Sequence, residues 1–463
     1  MTLASFFALA LSLAADSPAS PEAAVDAAVA AHMKQTRTPA IGVAVVKAGK
    51  PILVKGYGVA NLEHDVKATA KTRFQLASVT KQFTAAAILM LVEDGKLKLD
   101  AKVTEILPNL PAAWAPVTVR HLLTHTSGIK SYTDLPDFMS KTTRQVATPK
   151  MLVDAVKDFP LQFKPGEKFA YSNTGYFLLG MIVEKASGTP YGKFVAARIF
   201  KPLGMETARH DDEREIIPGR AAGHTLSMGT PRNSDFLSMT WPGAAGALIA
   251  SAEDMAKWAV ALDEGKVLTE ARRKEMWTPP KLASGAPSSY GYGWGIAKVR
   301  GYDVVSHGGG INGFSTDIAR YVDEKLTVVV LCNLNSGAAG LLGRKIAACY
   351  MPALATPDKT IADDNPKFTE RVKAALLAAR SGKPDPEHYA EAARKALFPD
   401  RIKEAGGFLK SLGELKSLEL LESQSAGKQR ALRYRAVFGD TKLSVRCSIG
   451  DDLKIAAIGL QPE

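Results

Sequence analysis

The chain is short of cysteine: among 463 residues only Cys332, Cys349 and Cys447 occur. An odd number at such wide spacing excludes a disulfide framework and matches no zinc pattern, so each is expected to be a small buried hydrophobe. Long apolar runs are also lacking. Beyond the first fifteen residues no stretch reaches the roughly 20 that a membrane-spanning helix needs. There is no Lys/Arg-rich run interleaved with aromatics, although Lys and Arg outnumber Asp and Glu by 59 to 47. That excess is spread along the chain, which reads as a basic surface and implies no nucleic-acid partner. No internal repeat is present. What remains, 46% hydrophobic and 23% charged, is the composition of a soluble globular protein, and the length favours two or more domains.

Residues 1–15 read MTLASFFALALSLAA, with no charged side chain and a small-x-small end at Ser12-Leu13-Ala14. They are expected to form an export signal, removed from the mature chain, although the usual early Lys/Arg is missing. The expectation is a periplasmic or secreted bacterial protein with no stable membrane span.

The stretch 74–95, FQLASVTKQFTAAAILMLVEDG, carries the most chemistry. Its Ala-, Leu- and Met-rich body favours helix, and Gly95 is a natural stop. A helix apolar nearly all round belongs in a core. Ser78 and Lys81 then share a face at its start. A serine hydroxyl needs a base to become a nucleophile, and a lysine serves only if burial or a nearby cation lowers its pKa. Free N–H groups at the helix start offer a place for an oxyanion. Alone, S-x-x-K is a weak pattern that reads more readily as a serine cap followed by a solvated lysine.

Elsewhere the pattern predicts a helix over 21–34 and a hairpin from 41–46 and 52–57. A short helix is expected in 118–127. His121 and His125 are four apart within it, but no glutamate lies between and no third ligand follows, so they are expected to make hydrogen bonds. Asn173 stands at the N-cap position of a helix over 176–185 that Gly188 ends. Ser251 starts a helix to about 262. Residues 290–296 begin a second β region, strands follow over 314–321 and 326–332, and a helix over 341–350. Strands near both ends with a helical middle make an α/β (α+β) fold, an antiparallel sheet flanked by helices with a helical insertion. Residues 353–367 read as a linker. After them come helices over 368–380 and 387–397 and four short strands, a small C-terminal α+β domain over 368–463 with no catalytic constellation.

Three weak signals combine: Ser78-x-x-Lys81, Tyr171-x-Asn173, and His307-Gly308-Gly309 after a strand. In this order and context the sequence resembles the penicillin-recognising serine hydrolases, in the branch holding class C β-lactamases, D-alanyl-D-alanine carboxypeptidases, D-aminopeptidases and related esterases. HLLTHTSG (121–128) and PLGM (202–205) add to the likeness, which covers about 21–350 and implies a β-lactamase-like domain over 16–352. The resemblance implies Ser78 as nucleophile, Lys81 as base or relay, and Tyr171 as a proton carrier to the leaving group. It implies that Asn173 holds the substrate and orients Lys81, and that the N–H groups of Ser78 and Gly310 form an oxyanion hole beside His307, Gly308 and Gly309. It implies no metal and no cofactor.

The family's usual third motif is Lys-Thr-Gly. His307 in place of that lysine is mostly neutral at neutral pH, and the threonine hydroxyl is gone. Both changes weaken recognition of a free carboxylate and shift weight to esters or uncharged amides. A true β-lactamase or D-alanyl-D-alanine carboxypeptidase, and a penicillin-binding sensor that does not turn over, stay open. The expected partner is a small ester, amide or peptide substrate; the C-terminal domain has no assigned partner.

Overall fold

The computed structural model describes residues 20–136, 138, 143–355, 357, 359–426 and 429–462. The expected export signal lies outside them. The chain divides into two compact units, Met1–Ala355 and Thr356–Glu463.

The first unit is built on a seven-stranded antiparallel sheet. Its strands are β1 (Ala40–Lys47), β2 (Lys50–Asn61), β3 (Val66–Lys67), β4 (Gly295–Val299), β5 (Tyr302–Ile311), β6 (Phe314–Tyr321) and β7 (Leu326–Cys332). Their order across the sheet is β3-β2-β1-β7-β6-β5-β4. The early hairpin therefore joins the late strands through β1 and β7, in register from Ile41 opposite Cys332 to Lys47 opposite Leu326. Both strands are almost continuously apolar because both faces are covered. Alternation sorts them: Ile41, Val43 and Val45 pack with Val25, Val29, Leu342 and Ile346, whereas Ala44 and Val46 join the larger core with Phe83 and Trp258.

Helices α1 (Pro21–Thr36) and α5 (Ala339–Tyr350) thus cover one face. The other face receives α2 (Thr80–Glu93) and α4 (Ala252–Glu264), and α3 (Asn173–Ser187) packs against α2. Every residue of α2 from Thr80 to Leu91 is buried, the polar Thr80, Lys81, Gln82 and Thr84 included, and the unbroken apolar run from Ala85 onward places the helix in the core. Asp263 of α4 forms a buried ion pair with Arg320 of β6, pinning helix to sheet.

Several expectations need correction. Tyr290 makes only an isolated bridge, to Gly295; the continuous strand starts at Gly295, after a turn in which Gly293 is left-handed. His307-Gly308-Gly309 does not follow a strand but lies within β5. Ser78 precedes α2 on a 3-10 turn, Ala77–Val79. None of the described helices is long and apolar enough to cross a membrane.

In the second unit a four-stranded antiparallel meander runs through Leu415–Ala426, Gln429–Phe438, Thr441–Gly450 and Ile455–Pro462. Its core joins Tyr434, Phe438 and Val445 to Phe368, Val372 and Leu376 of the helix Pro366–Arg380. A further helix, Asp400–Ser411, escaped the sequence reading because Gly406-Gly407 weakens its helical signal. Gly406 is needed for packing: a Cβ there would lie 2.2 Å from the carbonyl oxygen of Ala379.

Candidate active site

The Ser78 turn is fixed from two sides. Phe74 and Gln75 pair with Ala250 and Ile249, and the Leu76 N–H donates to Leu248 O at 2.8 Å. On the other side Thr316 Oγ1 donates to Leu76 O at 2.8 Å. Ala77 is held left-handed at φ 48°, a conformation that costs a non-glycine residue about 1–2 kcal/mol. Gly309 lets β5 lie against this turn. A Cβ there would stand 2.2 Å from Thr316 Oγ1 and 2.4 Å from Leu76 O.

Lys81, the second residue of α2, is fully buried. Its Nζ lies 3.1 Å from Ser78 Oγ, 2.8 Å from Asn173 Oδ1 and 2.8 Å from Ala245 O. No ion pair to Lys81 occurs among the described residues, and burial pushes its pKa well below the ordinary lysine value. The count of lone pairs gives this meaning. Asn173 Oδ1 and Ala245 O can only accept, so a neutral amine keeps its two N–H groups on them and turns its lone pair to the Ser78 hydroxyl.

Tyr171 Oη donates to Ser78 Oγ at 3.0 Å. The residue is 37% exposed, but protein surrounds its hydroxyl. Burial raises its pKa, and the Ser78 contact only partly offsets this. At neutral pH it is a phenol.

Asn173 is not the N-cap. That place belongs to Ser172, extended at φ −137°, whose Oγ accepts from Gly175 N–H at 3.3 Å. Asn173 is the first helical residue. Its Nδ2 donates to Thr133 Oγ1 at 3.1 Å, which leaves its oxygen for Lys81. Ser131 Oγ accepts its backbone N–H at 3.0 Å.

Ser78, Asn173 and Gly310 line one cavity of about 120 Å3. Its remaining wall is mostly apolar, with Tyr132, Phe138, Leu237, Trp241 and Ile311. Tyr132 and Trp241 turn their polar ends away, Tyr132 Oη donating to Trp241 O and Trp241 Nε1 to Gln145 O. The aromatic wall was not anticipated, since its members are scattered over a hundred residues with no shared pattern.

His307 is buried with its ring centroid 6.3 Å from that of Tyr171, and it is not among the residues that line this cavity. Its Nδ1 lies 2.7 Å from Gly308 O, which can only accept, so Nδ1 carries the proton and Nε2 accepts from Tyr290 Oη at 2.7 Å. Burial pushes its pKa down to about 3. His121 makes the expected hydrogen bond, Nδ1 accepting from Thr118 N–H at 3.2 Å. His125 is buried against Tyr171, with ring centroids 4.2 Å apart. No cluster with the makings of a metal site occurs among the described residues.

The Beta-lactamase family model matches residues 25–348. The chain is similar to a D-aminopeptidase of Gluconobacter oxydans (strain 621H), 30% identical over 351 residues, or 73% of this chain. It spans 65% of that relative's length, just under two thirds. Its fold is similar to that of a D-stereospecific amidohydrolase from Streptomyces sp., at TM-score 0.61 and 28% identity, over 70% of this chain and 97% of the other. It is also similar to an octameric penicillin-binding protein homologue from Pyrococcus abyssi, at TM-score 0.61 and 26% identity, over 95% of this chain and 98% of the other. The chain belongs to the Beta-lactamase family, within the penicillin-recognising serine hydrolases.

Proposed function

We propose that the protein is an exported hydrolase that cleaves esters and uncharged amides through an acyl-serine on Ser78. The observation that carries this is the convergence of Lys81 Nζ and Tyr171 Oη on Ser78 Oγ, at 3.1 and 3.0 Å. Burial disfavours both the ammonium and the phenolate, so the resting pair is a neutral amine and a neutral phenol. Those are the states a base and an acid need before reaction.

Ser78 Oγ attacks the substrate carbonyl while its proton passes to Lys81 Nζ. The carbonyl electron pair moves onto oxygen, in reach of the Ser78 and Gly310 N–H groups. When the tetrahedral centre collapses, the bond to the leaving group breaks and that group takes the Tyr171 proton. The Lys81 proton then restores the phenol. Water repeats the sequence on the acyl-serine and releases the acid. Asn173 and Ala245 keep Lys81 aimed at Ser78 throughout.

Two features support neutral substrates. His307 supplies no cation, since its pKa is pushed down to about 3. The cavity wall is aromatic and aliphatic, and at about 120 Å3 it compares with the roughly 150 Å3 apolar cavity that accepts benzene. A second reading, cleavage of D-amino-acid amides or peptides, is favoured by the likeness to a D-aminopeptidase and an amidohydrolase.

The test compares a p-nitrophenyl short-chain ester, a D-amino-acid amide and a chromogenic cephalosporin, on wild type and Ser78→Ala. Ester turnover that Ser78→Ala abolishes is expected. Rapid cephalosporin turnover without esterase activity contradicts the reading. The uncharged apolar residues 1–15 support export; a mature protein whose N-terminus still carries them contradicts it.

A further inference from the structure

Tyr171 lies in an irregular segment, outside helix and strand, so regular structure does not hold its hydroxyl on Ser78. We propose that His125 does so, as the positioning residue of the proton donor. This rests on Tyr171 acting as proposed above.

Three contacts carry the inference. His125 O accepts the N–H of Ala170 at 2.9 Å, and His125 Nδ1 accepts the N–H of Ser172 at 3.1 Å. The two residues that flank Tyr171 are therefore tied to one histidine. Its ring also lies on the Tyr171 ring, centroids 4.2 Å apart at 36°. Backbone on both sides and ring between them are fixed together, which leaves the phenol little freedom to swing from Ser78.

The clamp uses one protonation state. Nδ1 accepts only when unprotonated, so the proton sits on Nε2, which is buried and has no hydrogen-bond partner. Around it stand the rings of Tyr171, Tyr176 and Tyr290, with centroids at 4.2, 5.0 and 4.6 Å. A cation there would set a second N–H against that of Ser172, and burial holds the ring neutral. His125 itself is left-handed at φ 55°, an uncommon conformation outside glycine. It makes no hydrogen bond to Ser78 or Lys81, so it acts through Tyr171 alone.

A displaced proton donor has a signature that a general loss of structure lacks. A p-nitrophenyl ester sheds its leaving group as an anion and needs no proton. An alkyl ester of the same acid does need one. His125→Asn tolerates the left-handed backbone but removes the ring. It is expected to lower kcat/KM on the alkyl ester about 100-fold, the scale of one general acid, and on the aryl ester less than about 5-fold. Tyr171→Phe, measured beside it, is expected to show the same selectivity. His125→Phe, which keeps a ring but loses the Ser172 acceptor, replaces the asparagine variant if tryptophan fluorescence shows that variant unfolded, and the same selective loss is expected. Equal losses on both esters, or none, in the folded His125 variant while Tyr171→Phe is selective overturn the clamp and leave the proton-donor reading standing. A Tyr171→Phe enzyme with no selectivity overturns both.

Discussion

His307 makes a quantitative prediction about acid stability. The folded protein holds it neutral, with a pKa pushed down to about 3 by burial. In the unfolded chain it titrates near the ordinary value of about 6.5. Between these values the unfolded state binds a proton that the folded state refuses, so acid draws the protein towards unfolding. The stability contributed by the neutral ring is complete above about pH 6.5, falls steadily below it, and is lost by about pH 3. At pH 4 the gap of about 2.5 pH units, at about 1.36 kcal/mol each, comes to roughly 3 kcal/mol. His307→Gln removes the titrating group. Its cost at pH 7, where Tyr290 and Gly308 O lose their partner, is a separate quantity that does not change with pH. The expected result is that wild type loses about 3 kcal/mol more than the variant between pH 7 and pH 4. Urea unfolding followed by tryptophan fluorescence measures this in the right place, because Trp114, Trp241, Trp258, Trp277 and Trp294 all fall in the first unit. Parallel pH profiles for the two proteins refute the buried neutral histidine, and with it the argument that no cation stands at the third motif.

Two further outcomes follow from packing. Asp263→Asn leaves the Arg320 guanidinium buried, at 5% side-chain exposure, without its counter-charge; a loss of about 3–5 kcal/mol in the same urea assay is expected, and a loss under about 1 kcal/mol contradicts the pair's structural role. Gly309→Ala forces β5 off the Ser78 turn, whereas Gly308→Ala meets its nearest atom only at 3.9 Å. Esterase activity is therefore expected to fall at least about 10-fold for the first and less than about 3-fold for the second, and equal effects refute the close approach.

The elements that were legible in the sequence are those whose burial writes a period into the chain. The continuous apolar run of α2, the hairpin at 41–57 and the strands at 314–332 are of this kind, because layers cover them on the faces their pattern predicts. Asn173 was misplaced because cap preferences do not distinguish it from Ser172. Only the side-chain partners do so, Gly175 N–H for Ser172 and Lys81 for Asn173. The helix at Asp400–Ser411 was hidden by two adjacent glycines, of which packing demands Gly406. The site was legible as residue types and order: Ser78, Lys81, Tyr171 and Asn173 come together within hydrogen-bonding reach. What the chain's order does not encode is which side chains close around them. The His307–Tyr290 contact spans 17 residues, His125 reaches Ser172, the neighbour of Tyr171, over 47 positions, and Tyr132 meets Trp241 over 109. Each depends on tertiary geometry that no local pattern records.

The central claim is that Ser78 is acylated because a neutral Lys81 takes its proton. Intact-protein and peptide mass spectrometry after brief exposure to an aryl ester or a fluorophosphonate tests it most directly. One acyl or phosphonyl group on the peptide bearing Ser78 is expected, with labelling at least about 100-fold slower in Lys81→Ala. Stoichiometric label on another residue, or undiminished labelling of Ser78 without Lys81, contradicts it.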